Sequence, residues 1–446
     1  MSFPRYPKYK ASGVEWLGDV PEHWSVRRVG TLFRQVDEPG DDELQILSVS
    51  IHDGVSDKEL DEKEMDRKVT RSDDRSKYKK VQPGDLVYNM MRAWQGGFGS
   101  VAVAGMVSPA YVVARPIYEF ATTFVEQLLR TPQAIEQMRR HSQGVTDFRL
   151  RLYWDEFRSL NVVLPPQDEQ LAIATFLDRE TAKIDGLVGE QRRLIELLKE
   201  KRQAVISHAV TQGLNPHAPR KPSGIEWLGD VPEHWEELPM KALFAIKHGY
   251  AFAGSEFSDS GEYVLMTPGS FHETGGYRAR ESEKFYTGAD ISPEYILKEG
   301  QLLVAMTEQA PGLLGSALFV PRDAAYLHNQ RLGRIHEIRD DRIFEQYLFH
   351  VFNSDRIRAE IAVTSTGSKV KHTSPQRILS IHIALPPLTE QQQIAEFINA
   401  ETTKLDALTA EAERAIDLLQ ERRTALISAA VTGQIDVREF ATREAV

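Results

Sequence analysis

Several groups of side chains carry the hydrogen-bonding equipment for reading a polyanion and its bases. Arg and Lys suit guanine, while Asn and Gln offer the paired donor and acceptor that adenine requires. Asn89, Arg92 and Gln95 stand together in the first half of the chain, and Thr307, Gln309, Asn329, Gln330 and Arg331 in the second. Phosphate contact asks for something different, namely local cationic charge, hydroxyls and backbone amides. Residues 66–80 carry seven basic residues (Arg67, Lys68, Arg71, Arg75, Lys77, Lys79, Lys80) against three acidic ones, directly after an acidic run. Two polar, Gly-containing loops add Arg139, Arg140, Arg149 and Arg151, and Ser368, Lys369, Lys371 and His372. A further loop holds Lys247, His248, Gly249, Tyr250 and Phe252. For each segment the competing reading is a solvated loop whose polar groups satisfy turns and backbone.

Reaction chemistry finds little to work with. There is no cysteine, hence no disulfide, thiolate metal site or thiol nucleophile. No Gly-x-x-x-x-Gly-Lys-[Ser/Thr] phosphate loop occurs, and the 13 histidines lack HExxH or other ligand spacing. Gly96-Gly97-Phe98-Gly99 lacks the following helix and acidic residue of a nucleotide fold and reads as a tight turn. The sequence offers no catalytic, cofactor-binding or metal-binding residues.

The elements that must position these groups occur twice. Residues 12–24 (SGVEWLGDVPEHW) return at 223–235 with one change, Val14 to Ile225. An inner block, Gly84 to Met90, matches Gly300 to Met306, and residues 164–211 match 385–432 at 26 of 48 positions. A period above 200 residues is far beyond that of a solenoid, whose units run to roughly 20–50 residues. The chain therefore contains two domain-sized modules with similar frames and dissimilar contents. Trp16, Trp24, Trp227 and Trp235, with His23 and His234, belong to the shared frame and read as packing and hydrogen-bonding residues. Within each module short β-prone runs punctuated by Gly and Pro precede helical segments near 120–130 and 344–352, an α+β pattern.

The 164–211 and 385–432 blocks read as long helices. Pro-Pro stops the preceding strand, and Asp168 or Thr389 is placed to cap the helix. Leu177, Ile184, Leu198 and Val205 recur in seven-residue steps, with Leu187 and Leu194 between them. Ile398, Leu405, Leu419 and Leu426 repeat the register, with Leu408 between. Such a seam is that of a coiled coil, and the two helices most simply pack on each other, antiparallel. The plainer alternative lays each helix on its own domain.

With both modules and both helices in place, the chain resembles the specificity subunits of type I restriction-modification systems. The resemblance rests on GVEWLGDVPEHW, LPPLTEQQQIAEFI and the less perfect LPPQDEQLAIATFL, in two copies and in the family's order. It implies an α+β fold: two pseudo-symmetric α/β target-recognition domains (1–163 and 215–384) separated by an antiparallel coiled coil of two long helices (164–214 and 385–446). It also implies a non-catalytic role: each domain reads one half of an asymmetric, bipartite double-stranded DNA target, and the helix pair sets the gap. Two methyltransferase subunits would dock on the helices, and two motor-nuclease subunits could join. S-adenosylmethionine, ATP and Mg2+ would act on those partners, with no cofactor on this chain.

Composition is compatible with that expectation. Apolar content of 41% and charged content of 27% fit a globular protein, and no apolar run is long enough to span a bilayer. A cytoplasmic location is expected. The net charge of −11 confines any phosphate-binding surface to local patches. It also mildly favours a rival reading, a coiled-coil scaffold whose two ends bind proteins.

Overall fold

The computed structural model describes residues 3–52, 54–60, 74–144, 150–279, 283–288, 291–308, 312–367 and 370–440. The chain divides into two compact units, residues 1–190 with 415–446, and residues 191–414.

In the first unit, β1 (Ser25–Arg28) leaves the repeated frame, followed by β2 (Phe33–Val36), β3 (Leu86–Asn89), β4 (Phe98–Ser100) and β5 (Tyr111–Pro116). Helix α1 (Thr122–Leu129), strand β6 (Asn161–Leu164) and the long α2 (Gln167–Gln212) complete the series. An antiparallel sheet runs in the order β2-β5-β3-β4, with Val113 opposite both Val36 and Val87. Strands β1 and β6 pair antiparallel, so the frame and the Leu-Pro-Pro block meet before α2 begins. Each sheet strand is short because a turn residue ends it. Gly84, with φ +92°, supplies the left-handed turn before β3.

The second unit repeats this plan. Its strands include β7 (Glu236–Pro239), β8 (Ala245–His248), β9 (Tyr263–Met266), β10 (Leu302–Ala305), β11 (Ala317–Phe319), β12 (Ala325–His328), β13 (Leu332–His336) and β14 (His382–Leu385). Its helices include α3 (Glu345–Phe352) and the long α4 (Leu388–Val431). The sheet order β8-β13-β10-β11 reproduces that of the first unit, and β7 pairs with β14 as β1 does with β6. What differs is an added five-stranded sheet, in which β9 runs parallel to β12.

Each long helix contributes to both units. In the first, Ile173, Phe176 and Leu177 of α2 share a core with Leu426, Ile427, Ala430 and Val431 of α4. In the second, Ile206, Ala209 and Val210 of α2 share a core with Ile394, Ala395 and Ile398 of α4. The start of each helix meets the end of the other, so the pair is antiparallel.

The seam itself differs from expectation at three positions. Leu177, Ile184 and Leu198 are buried and Val205 half-buried, as are Ile398 and Leu405 (buried) and Leu419 and Leu426 (half-buried). Leu187, Leu194 and Leu408, however, are exposed at 47%, 41% and 49%. The intervening positions lie four residues on, not three: Thr181, Val188 and Ile195 in α2, Thr402 and Thr409 in α4. The threonines disguise the pattern. Thr181, Thr402 and Thr409 each donate their hydroxyl to the carbonyl four residues back, at 2.8, 2.8 and 3.0 Å, which satisfies the polar group within its own helix.

The helix starts also move. Both helices begin two residues earlier than those caps imply, and the carbonyls of Pro166 and Pro387 accept from Gln170 N and Gln391 N at 2.9 and 3.0 Å. Asp168 and Thr389 thus lie inside the first turn and are not its caps. Asp168 there still complements the positive end of the helix.

Candidate nucleic-acid interface

The repeated frame is anchored by a carboxylate that comes from the other repeated block. Glu169, on the first turn of α2, accepts from Trp24 Nε1 at 2.9 Å and lies 2.7 Å from His23 Nε2, while Tyr6 donates its hydroxyl at 2.5 Å. Glu390 does the same in the second unit, 2.7 Å from His234 Nε2 and accepting from Trp235 Nε1 at 3.3 Å. The next residue ties down a different segment. Gln170 donates to Pro165 O and accepts from Ala121 N, just before α1. Gln391 donates to Pro386 O and accepts from Phe344 N, just before α3. The Glu-Gln pair of each Leu-Pro-Pro block therefore fixes both the frame and the sheet-covering helix to the long helix. Trp24 and Trp235 are fully buried, as a packing role requires, and Trp16 and Trp227 are half-buried against the same cores.

On these frames sit two rims built alike. In the second unit Thr307 pairs with His372 across an antiparallel bridge, its hydroxyl 3.0 Å from His372 Nδ1. Backbone hydrogen bonds join Thr373 N to Met306 O, Met306 N to Arg331 O and Glu308 N to Lys371 O, each at 2.9 Å. The loop before the Leu-Pro-Pro block and the inner block thus form one rim, carrying Thr307, Asn329, Gln330, Arg331, Lys371 and His372. Gln330, Arg331, Lys371 and His372 are exposed on it, whereas Thr307 is buried and bonded to His372. Asn329 Oδ1 accepts from Arg331 N at 2.9 Å, so part of its capacity shapes the loop. Buried His328 stands directly behind, its pKa lowered to about 4 by desolvation.

The first unit repeats the junction, with Leu152 N donating to Met90 O at 2.8 Å and Gln143 and Arg151 exchanging backbone bonds at 2.9 Å. Asn89, Arg92 and Gln95 surround the turn beside it. Asn89 Oδ1 accepts from Met91 N, Arg92 is half-buried and Gln95 is exposed. Arg151 is exposed at the same junction. Arg139 and Arg140 both hydrogen-bond Glu136, which lowers that carboxyl's pKa to about 2. Their charge is shared with a neighbour but remains at the surface.

The basic segment is more mixed. Arg75 spends its guanidinium on the carbonyls of Asp42 and Leu44, at 3.0 and 3.1 Å, which is a structural role. Lys77 lies 3.3 Å from Asp74 and Lys79 lies 3.6 Å from Asp37, while Lys80 is exposed. Arg67, Lys68, Arg71, Arg149, Gln309, Ser368 and Lys369 lie outside the described residues.

Sequence reasoning missed Glu169, Glu390, Gln170 and Gln391 as the fasteners of the frame. Their signal was available, since the same Glu-Gln follows each Leu-Pro-Pro just as the same His-Trp closes each frame. Among the described residues no cluster of His, Cys, Asp and Glu could hold a metal ion. No described helix is long and apolar enough to cross a membrane.

Comparison with known proteins agrees with this architecture. The family model for the type I restriction modification DNA specificity domain matches residues 232–417. The type I restriction enzyme MjaVIII specificity subunit of Methanocaldococcus jannaschii is 22% identical over 450 residues, covering 94% of this chain and 95% of that one. Along nearly its whole length the chain is similar to a type I specificity subunit. The EcoBI specificity subunit of Escherichia coli is 26% identical over 227 residues, covering 49% of this chain and 44% of that one. A solved chain from work on complex assembly and conformational transition of the type I system superposes with TM-score 0.64 at 17% identity, covering 92% of this chain and 98% of that one. The HsdS subunit from Thermoanaerobacter tengcongensis gives TM-score 0.52 at 16% identity, covering 93% and 98%.

Proposed function

We propose that this chain is the DNA-sequence-specificity component of a type I restriction-modification assembly and has no reaction of its own. Each unit reads one half of an asymmetric bipartite duplex site, and the α2–α4 pair holds the gap between the halves. The observation that carries this reading is the pairing of near-identical frames with rims that carry unlike side chains. Thr307, Asn329, Gln330, Arg331 and Lys371 occupy one, and Asn89, Arg92, Gln95 and Arg151 the other. Readers of two different half-sites need the same support and different hydrogen-bonding edges. Half-sites must also be met at a set helical phase, which a helix pair can hold and a flexible linker cannot.

The helices offer a docking surface as well. Leu187, Leu194 and Leu197 form an exposed apolar stripe on α2, and Phe397, Leu408 and Leu418 are exposed on α4. Apolar stripes facing away from the seam suit the helices of a partner protein. We assign these two stripes to two methyltransferase subunits, with two motor-nuclease subunits as further members of the complex. S-adenosylmethionine, ATP and Mg2+ then act on those partners, and the assembly works in the cytoplasm.

Sequencing of methylated DNA from cells carrying this chain with its methyltransferase subunit tests the proposal. A split motif with two unlike halves is expected, and methylation without such a motif would overturn it. The purified chain incubated alone with DNA, labelled methyl donor and Mg2+ should give no product; a methylated or cleaved product would overturn the non-catalytic assignment.

A further inference from the structure

We propose that Tyr250 is a stacking surface for one unstacked nucleobase in the half of the duplex met by the second unit. This inference rests on the DNA-reading proposal. Tyr250 follows β8 through Gly249 and is locked to the rim by its backbone. Its N–H donates to His328 O, and its carbonyl accepts from Gln330 N, both at 2.9 Å. A side chain at position 249 would collide with the Asn329 carbonyl, so glycine is what lets the strand approach this closely.

The ring is held from behind. Its centroid lies 5.2 Å from Tyr295 and 5.2 Å from Phe252, and Phe252 leans in turn on Tyr286 at 4.8 Å. Phe252 joins the small core of Leu265, Tyr286 and Leu327, whereas Tyr250 does not and remains 51% exposed. Lys247 sits over Tyr295 at 5.2 Å and pairs with Glu294, which adds a cation beside the shelf. A large aromatic side chain fixed in place yet open on one side has already lost its ordering entropy, as a binding anchor should.

The geometry of the duplex then selects the ligand. Stacked base pairs show only their edges in the grooves, so a flat ring can meet a base face only where a step has been opened. A DNA methyltransferase must take its target base out of the stack, which opens such a step. Among the described residues of the first unit no such shelf stands at the matching position. At the equivalent place, two residues beyond β2, stands Glu38, which lies 2.6 Å from Arg115. The stacking contact therefore belongs to one half-site.

The test uses the assembled methyltransferase and duplexes carrying 2-aminopurine at successive positions of the second half-site. Tyr250→Ala should weaken specific binding about 10- to 100-fold, the range for losing one base-aromatic stack. Tyr250→Leu, which keeps bulk without a flat face, should lose as much, while Tyr250→Phe should stay within about threefold of the parent. One 2-aminopurine position should be quenched by the parent and by Tyr250→Phe and bright with Tyr250→Leu. Parental affinity in Tyr250→Leu, or a loss in Tyr250→Phe equal to that in Tyr250→Leu, would overturn the stacking role alone. A parent complex that selects no split motif would overturn the DNA-reading proposal and this one with it.

Discussion

Arg423 Nε donates to Asp185 Oδ1 at 3.0 Å, and this ion pair between α4 and α2 is copied elsewhere with the helices exchanged. In the copy Arg202 of α2 donates to Asp406 of α4 at 3.2 Å. Under the repeat Asp185 corresponds to Asp406 and Arg202 to Arg423, so one residue pair, duplicated, serves both interfaces. Moving 17 residues forward along α2 moves 17 back along α4, which is the register of an antiparallel pair.

The two copies should differ in worth. Arg423 and Asp185 are substantially exposed, and an exposed pair contributes about 0–1 kcal/mol. Arg202 is mostly covered and also donates to Thr274 O at 2.9 Å. Arg202→Ala should therefore cost about 1–3 kcal/mol in chemical denaturation, against less than about 1 kcal/mol for Arg423→Ala. Equal losses would contradict this account.

The corrected seam gives a sharp contrast between adjacent residues. Ile195→Ala should destabilise by about 2–5 kcal/mol, as for a buried aliphatic, whereas Leu194→Ala should change stability by about 0.5 kcal/mol or less. Leu194→Glu with Leu187→Glu should leave the fold intact yet weaken methyltransferase assembly. Light scattering that finds full assembly would remove the docking assignment.

Removal of Glu169 should be costly because it leaves the Trp24 N–H and the Tyr6 hydroxyl buried without their acceptor. Glu169→Ala is expected to cost about 2–4 kcal/mol in urea unfolding. Glu390 is the more exposed of the two and anchors fewer donors, so Glu390→Ala should cost less. The reverse order would mean that the Glu-Gln motif holds the frame by some other contact.

Acid should weaken the second unit. Burial lowers the pKa of His328 and of His350 to about 4. The unfolded chain, with histidines near 6.5, binds more protons between pH 6.5 and 4. Stability is therefore fully present above about pH 6.5 and falls by up to about 1.4 kcal/mol per pH unit per histidine down to about pH 4. Hydrogen exchange of residues 191–414 at pH 7 and pH 4.5 should register the loss. His350 hydrogen-bonds Asn399 on α4 at 3.0 Å, and His350→Gln should shrink the pH dependence.

Lengthening α2 and α4 together by one matched heptad should widen the gap between half-sites and leave their bases unchanged. Methylated-DNA sequencing reads both quantities at once, and altered bases would contradict the spacer role.

The sequence by itself determined the architecture: two frames with unlike contents, two long helices with one shared register, and tryptophans destined for the core. Repetition and heptad spacing are properties of order along the chain, so they are legible without coordinates. It also pointed to the stretches that became the rims, yet not to their union. Thr307 and His372, or Met90 and Leu152, are 65 and 62 residues apart, and only strand pairing brings them together. The side of the seam was equally undecided, because Leu187-Val188 and Leu194-Ile195 offer an apolar residue at either step. Tertiary packing chose Val188 and Ile195, and the self-bonded threonines hid that choice from any reading of polarity. Tyr250 belongs to the same class. An aromatic residue in a loop says nothing of its exposure until Phe252 and Tyr295 pack against the ring and leave about half of it open, which depends on the folded chain.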